Sequence, residues 1–159
     1  MIQVDRCLVH ADLDRVFRCA RDVERWPEWL PHYRWVRFLE RRTDAGADGG
    51  GVVEMAAWRP FGPLRYPTWW VSEMRIDAAV PAVRYRHIRG ITRGMDVEWA
   101  FAPAGTGVAV TITHRWGGPA WPLIGAAAAS VVIGPVFIHG IAQLTLAGIA
   151  RVAERTREG

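Results

Sequence analysis

His87 and His114 sit in stretches whose residues alternate in polarity, AVRYRHIRG (82–90) and GVAVTITHRW (107–116). Successive strand side chains point to opposite faces, so Val83, Tyr85 and His87 share one face, as do Val108, Val110, Ile112, His114 and Trp116. The apolar set must turn inward, and it takes each histidine with it. The same division puts Trp70, Ser72, Met74 and Ile76 inside in WWVSEMRID (69–77), and Met95, Val97, Trp99 and Phe101 inside in MDVEWAF (95–101). The predicted concave face therefore carries Trp70, Met74, Tyr85, His87, Trp99, His114 and Trp116. A few polar groups among large aromatics suit a ligand pocket, in which an imidazole can move protons. The pattern equally describes a packed core whose histidines are bonded to a neighbour or to water.

Arg84 and Arg86 fall on the outer face, although a strand at the mouth of a pocket could turn one of them inward. His139 and Gln143 form an i,i+4 pair facing either the pocket or solvent. Sequence signatures of nucleophile elbows, zinc proteases, P-loops and dinucleotide folds are all missing. Cys7 and Cys19 show no metal-ligand spacing. No metal and no cofactor are expected. Both cysteines are expected to be free thiols, and MIQVDRCLVH lacks the apolar core of a signal peptide, so a cytoplasmic location is expected.

The elements that must position these residues can be read in order. IQVDRCLV (2–9) suits an edge or half-buried strand. Asp12 is placed to cap a helix that buries Val16, Phe17, Ala20 and Val23 and runs to about Glu24. Pro27 and Pro31 restrict Trp26 to Pro31 to a turn or one irregular helical turn. A strand over 33–41, a Gly- and Asp-rich tip (TDAGADGGG) and a strand VVEMAAW follow. RPFGPLRYP (59–67) reads as a Pro-rich connection, and the four remaining strands then follow at short intervals without intervening helices, as in an antiparallel meander. From Gly117 to Ala150 there is no charged residue. Pro119, Pro122, Gly134 and Pro135 interrupt that run, so a long C-terminal helix lying across a curved sheet is expected in preference to a membrane span, with Pro135 breaking or kinking it.

With 159 residues, half of them hydrophobic and 23% charged, the chain is expected to form one domain over residues 1–159. All 20 basic residues are arginine, and the net charge is +4. Scattered among 16 acidic residues, these arginines make no stripe for nucleic acid, and nucleic-acid binding is not expected.

The stretch RDVERWPEWLPHYRWVRFLE (21–40), with its D-V-x-x-W-P-x-W pattern, stands between the first helix and a meander containing WWVSEMR. This order resembles the START-like (SRPBCC) superfamily of helix-grip domains, and within it the polyketide cyclase and aromatase branch. The resemblance implies an α+β fold of the START/Bet v 1 kind, a curved antiparallel sheet of about six or seven strands wrapped around a long C-terminal helix, with an apolar cavity between them. It places Trp26, Trp29 and Tyr33 in the cavity wall and mouth, beside Trp70, Met74, Tyr85, Trp99, His114, Trp116 and Phe137. In such cyclases a tyrosine after the W-P motif and arginines on central strands hold a poly-β-ketone chain. Tyr33 and Arg86 match those positions, whereas Arg75 is displaced by one residue and would point to the opposite face. The implied chemistry is aldol cyclisation and dehydration, with Tyr33 and Arg86 stabilising the enolate and His87 or His114 moving protons. An alternative is a noncatalytic lipid or quinone carrier of the coenzyme Q type, in which the apolar segment 120–138 forms a lid that docks on a membrane. A third is an interaction module that pairs two protomers through the apolar helix; the sequence leaves the oligomeric state open.

Overall fold

The computed structural model describes residues 1–42, 49–61, 63–118 and 134–155. Residues 43–48 of the predicted hairpin tip, and 120–133 of the apolar segment 120–138 expected as a lid, lie outside the described residues. Seven strands form one antiparallel sheet: β1 (Ile2–Val9), β2 (Tyr33–Arg41), β3 (Gly50–Phe61), β4 (Leu64–Asp77), β5 (Ala82–Gly90), β6 (Asp96–Ala104) and β7 (Gly107–Arg115). Their spatial order is β1-β7-β6-β5-β4-β3-β2, a meander whose first strand joins its last.

Helix α1 (Leu13–Arg21) follows Asp12 and buries Val16, Phe17 and Ala20. Its expected continuation to Glu24 is broken at Asp22, after which Val23–Arg25 form a 3-10 turn. Helix α2 (Trp26–Trp29) is the single turn that the two prolines allow, with Pro27 in its first turn, where no helical N–H partner is lost. Helix α3 (Gly134–Arg155) lies on the inner face of the sheet, and its buried residues Ile138, Ala142, Leu146, Ile149 and Ala153 recur at helical spacing. Pro135 stands at the beginning of the described helix rather than in its middle.

RPFGPLRYP departs from expectation, because β3 runs on to Phe61 and β4 begins at Leu64, pairing Trp58 with Pro67 and Pro60 with Arg65. β2 pairs with β3 no further than Ala57, and β5 with β4 no further than Trp70. The hairpin therefore leaves the sheet as a two-stranded ribbon with open outer edges, where a proline costs no ladder bond.

The core fills the space between α1, α3 and the concave face. Trp26, 2% exposed, donates its indole N–H to Cys19 O at 3.0 Å and packs against Tyr33 and Trp99, with ring centroids 5.1 and 5.6 Å away. The tryptophan-proline segment thus plugs one end of the sheet with rigid aromatic area at small entropic cost. Leu30 is fully buried beside Gly148 of α3, and a Cβ at Gly148 would lie 2.0 Å from Leu30 Cδ2.

Gly90 faces Trp70 next to a β-bulge, with φ +97° and an imaginary Cβ 2.5 Å from Trp69 O. Both the backbone and the space demand glycine. Gly90→Ala is expected to destabilise the protein by about 2 kcal/mol or more, read as a lower urea midpoint; an unchanged midpoint would show that the bulge relaxes.

Candidate functional site

The concave face, Tyr33 at the start of β2, Trp26 and one side of α3 enclose a cavity. Its polar lining groups are Tyr33, Arg59, Tyr85, His87, His114 and Thr145, set among Trp26, Trp70, Trp99, Met55, Met95, Ile112 and Ile138. The open space between these side chains is about 60 Å³, room for a few water-sized groups, so a ligand of fused rings must push the walls apart.

Strand alternation brings Trp70, Tyr85, His87, Trp99 and His114 to the cavity, and Trp26 and Tyr33 join them. Met74 is buried but packs in the core away from the opening, and Trp116 is occupied in donating its indole N–H to Arg93 O at 3.2 Å. Trp29 is not among the cavity-lining residues; it is half-buried under the Arg25 guanidinium, which stacks 4.7 Å from its ring centroid. The Phe137 side chain lies outside the described residues. Arg86 points to the convex face, where it meets Asp96 at 3.2 Å, and Arg84 likewise pairs with Glu98 at 2.7 Å. Neither arginine turns inward. Arg75 is also on the outer face, as the one-residue offset requires, and Met74 takes the inner position.

The arginine inside the cavity is Arg59, in a stretch whose prolines predict a connection rather than a strand. Continuing the alternation Met55, Ala57, Arg59 along β3 would have found it. Arg59 is 6% exposed and donates Nε–H to Thr68 Oγ1 at 3.3 Å. Burial pulls its guanidinium down to about 10, opposed by nearby Tyr33, so it stays charged at neutral pH. Burial pushes the Tyr33 phenol up to about 12, against a hydrogen bond with Thr145 and the charge of Arg59. The Thr145 hydroxyl donates to Ile141 O at 2.8 Å, so it receives from Tyr33 and from His32 Nε2, 3.0 Å away. Burial also pushes the Tyr85 phenol well above its ordinary value, with Tyr33 adding to it, and the Tyr85 hydroxyl has no hydrogen-bond partner among the described residues.

Both cavity histidines are neutral at pH 7. Burial lowers His87 to about 3, helped by repulsion from His114 and Arg59. It lowers His114 to about 4, with Asp5 opposing and Arg59 reinforcing the shift. The His87 ring stacks on Trp70 with centroids 5.9 Å apart, and its Nδ1 lies 2.6 Å from the Thr92 hydroxyl. Among the described residues no group of three or more His, Cys, Asp or Glu side chains is placed to hold a metal ion. No described helix is long and apolar enough to cross a membrane.

A sheet of seven antiparallel strands closed by a long C-terminal helix around an internal cavity defines a helix-grip protein of the START/Bet v 1 kind. Residues 9–136 match the family described as polyketide cyclase / dehydrase and lipid transport, and the chain belongs to that family. A protein of Streptomyces halstedii named "Putative polyketide cyclase" is 31% identical over 111 residues, spanning 69% of this chain and 91% of the relative. Among solved structures, TTHA0849 from Thermus thermophilus superposes with a TM-score of 0.76 at 17% identity, covering 98% of this chain and 99% of its own. The Zhui aromatase/cyclase from Streptomyces sp. R1128 gives 0.73 at 19% identity, covering 98% and 94%. At these identities the superpositions establish the fold.

The histidines dictate a pH dependence of stability. An unfolded histidine takes up its proton near its ordinary value of 6.5, whereas folded His87 and His114 resist it until about 3 and about 4. Their contribution is complete above about pH 6.5 and is lost as pH falls toward 4, at roughly 1.4 kcal/mol per pH unit for each fully buried ring. Urea midpoints measured from pH 7.5 to 4.5 should decline along this window and decline less steeply in His87→Gln. A flat profile would mean that the rings are solvated.

Proposed function

We propose that this chain is a single ligand-binding domain that takes up an apolar or aromatic small molecule bearing enolisable carbonyls and promotes its aldol cyclisation and dehydration. The observation that carries the reading is a buried guanidinium, Arg59, facing the same apolar cavity as a buried phenol with no partner among the described residues, Tyr85. A purely apolar ligand leaves the Tyr85 hydroxyl without a bond, and its burial then costs stability without return. A ligand oxygen that gains negative charge during reaction accepts from Tyr85 and is attracted by the charge of Arg59.

In this reading a neutral cavity histidine removes a proton from the carbon between two carbonyls, and the electron pair moves onto the carbonyl oxygen as an enolate. Arg59 and Tyr85 hold that oxygen, and Tyr33 reaches it by turning its hydroxyl away from Thr145. The enolate carbon then bonds to a second carbonyl carbon of the same chain, which the aromatic walls fold into reach. The new alkoxide takes the proton back from the histidine; the same ring then removes the remaining hydrogen from the carbon between the carbonyls and passes it to the hydroxyl, which departs as water as the carbon-carbon double bond forms. Arg59 takes the part that the family resemblance assigned to Arg86. The reading includes a cytoplasmic location, in keeping with the free thiols Cys7 and Cys19.

Arg59→Met keeps most of the side-chain volume and removes the charge. It is expected to lower turnover of a poly-β-ketone surrogate about 10²- to 10³-fold. The urea midpoint should hold or rise, since a buried charge has been replaced by an apolar group. Unaltered turnover would remove Arg59 from the mechanism. Ready exchange of prenyl or acyl lipids with liposomes, with no turnover in the unaltered protein, would establish the carrier instead.

A further inference from the structure

The two cavity histidines are not equivalent. His87 Nδ1 is engaged by the neutral hydroxyl of Thr92. His114 Nδ1 is buried and has no hydrogen-bond partner among the described residues, and the same is true of one oxygen of a nearby carboxylate, Asp5 Oδ2. Asp5 is 1% exposed, an unusual place for an acid on an edge strand. β1 pairs with β7 so that Gln3 faces His114 and Asp5 faces Ile112, and Asp5 and His114 both turn to the inner side of the sheet. They are therefore diagonal neighbours, with Cα atoms about 7–8 Å apart.

The other carboxylate oxygen is fully used. Asp5 Oδ1 lies 2.5 Å from His139 Nδ1 and accepts from Gln143 Nε2 at 2.9 Å, both on α3. That clasp fixes the plane of the carboxylate and leaves Oδ2 as its one open oxygen. Two buried and complementary polar atoms on adjacent strands thus lack partners in the same region.

We propose that Asp5 is a positioning residue that holds His114 with its proton on Nδ1, so that His114 rather than His87 presents a basic Nε2 to the ligand. A small turn of the ring, or one intervening water, closes the gap between Nδ1–H and Oδ2. The titratable and charged groups around His114 favour this assignment. Asp5 from β1 stabilises an imidazolium there, Arg59 from β3 and His87 from β5 oppose it, and His139 from α3 lies behind Asp5. His87 faces the same Arg59, and His114 as well, and both act against a positive charge on its ring. In the proton-transfer step the carbon–hydrogen bond of the ligand breaks, its proton goes to His114 Nε2 and its electron pair becomes the enolate. The Nδ1 proton stays on His114, and Asp5 stays a carboxylate. The proton on Nε2 is then available to the new alkoxide.

This inference rests on the cyclisation reading for its purpose but not for its first test. Nitrogen-15 NMR of the histidine rings in the full chain at pH 7, without substrate, should show His114 protonated on Nδ1. In Asp5→Asn that preference should be lost while the His87 signals hold. Protonation of His114 on Nε2 in the unaltered protein overturns the proposal even where Asp5→Asn does not fold, and so does an unchanged His114 tautomer in a folded Asp5→Asn. Turnover gives the second reading. Asp5→Asn and His114→Gln should each cost about 10²-fold, and the double variant no more than either alone. His87→Gln should cost less than about tenfold; a loss at His87 equal to that at His114 would transfer the role. Correct tautomers in a protein without turnover would retire the cyclase reading and leave the Asp5–His114 pairing in place.

Discussion

A carboxylate on the first strand, shut in beneath the last helix, needs partners, and the bonds that His139 and Gln143 make to Asp5 join the two ends of the chain. Everything inside the fold depends on that closure. The meander by itself offers one concave apolar face, which must be covered. Helix α3 covers it, with Ile138, Ala142, Leu146, Ile149 and Ala153 turned to the sheet. The apolar contacts supply most of the energy, but apart from the close fit of Leu30 at Gly148 they are tolerant of small rotations of the helix about its axis. Hydrogen bonds to a fixed carboxylate are not, so the clasp selects which residues of α3 line the cavity.

The interior is built against the preference of folding. An apolar filling would be more stable than a guanidinium, two imidazoles and two phenols shut away from water. The structure limits the cost by keeping the histidines and tyrosines uncharged, and it retains charge at Arg59, where a delocalised cation is the most weakly hydrated choice available. The result is an environment of low polarizability with a few fixed donors, in which charge appearing on a ligand is felt strongly.

Much of this was legible in the sequence. Period-two alternation placed Trp70, Met74, Tyr85, His87, Trp99, His114 and Trp116 inward, and all seven are buried. It could not tell which of them border open space, because that depends on how α3 and Trp26 fill the concavity; Met74 and Trp116 fall on the filled side. Arg59 was hidden by its neighbours Pro60, Gly62, Pro63 and Pro67, which signal a loop until the open edges of the β3–β4 ribbon are seen to tolerate them. Asp5 was hidden for a different reason. Its burial is created by a helix at the far end of the chain, and nothing within β1 marks it. Arg86 was drawn to the site by a motif, yet its place in the alternation, between inward Tyr85 and His87, already directed it outward.

The notch at Gly148 makes the helix mechanically asymmetric. Leu30 occupies the space that any larger residue at 148 would need, and Arg151 Nη2 reaches back to Trp29 O at 3.2 Å, so the C-terminal half of α3 is keyed to the tryptophan-proline segment. Ile138, Ile141, Ala142 and Thr145, the helix residues bordering the cavity, all precede that notch. The helix is therefore held in two different ways, by steric fit near Leu30 and by the hydrogen bonds of His139 and Gln143 to Asp5. A guest that presses on Ile141, Ala142 or Thr145, which lie between the two anchors, works against both of them at once.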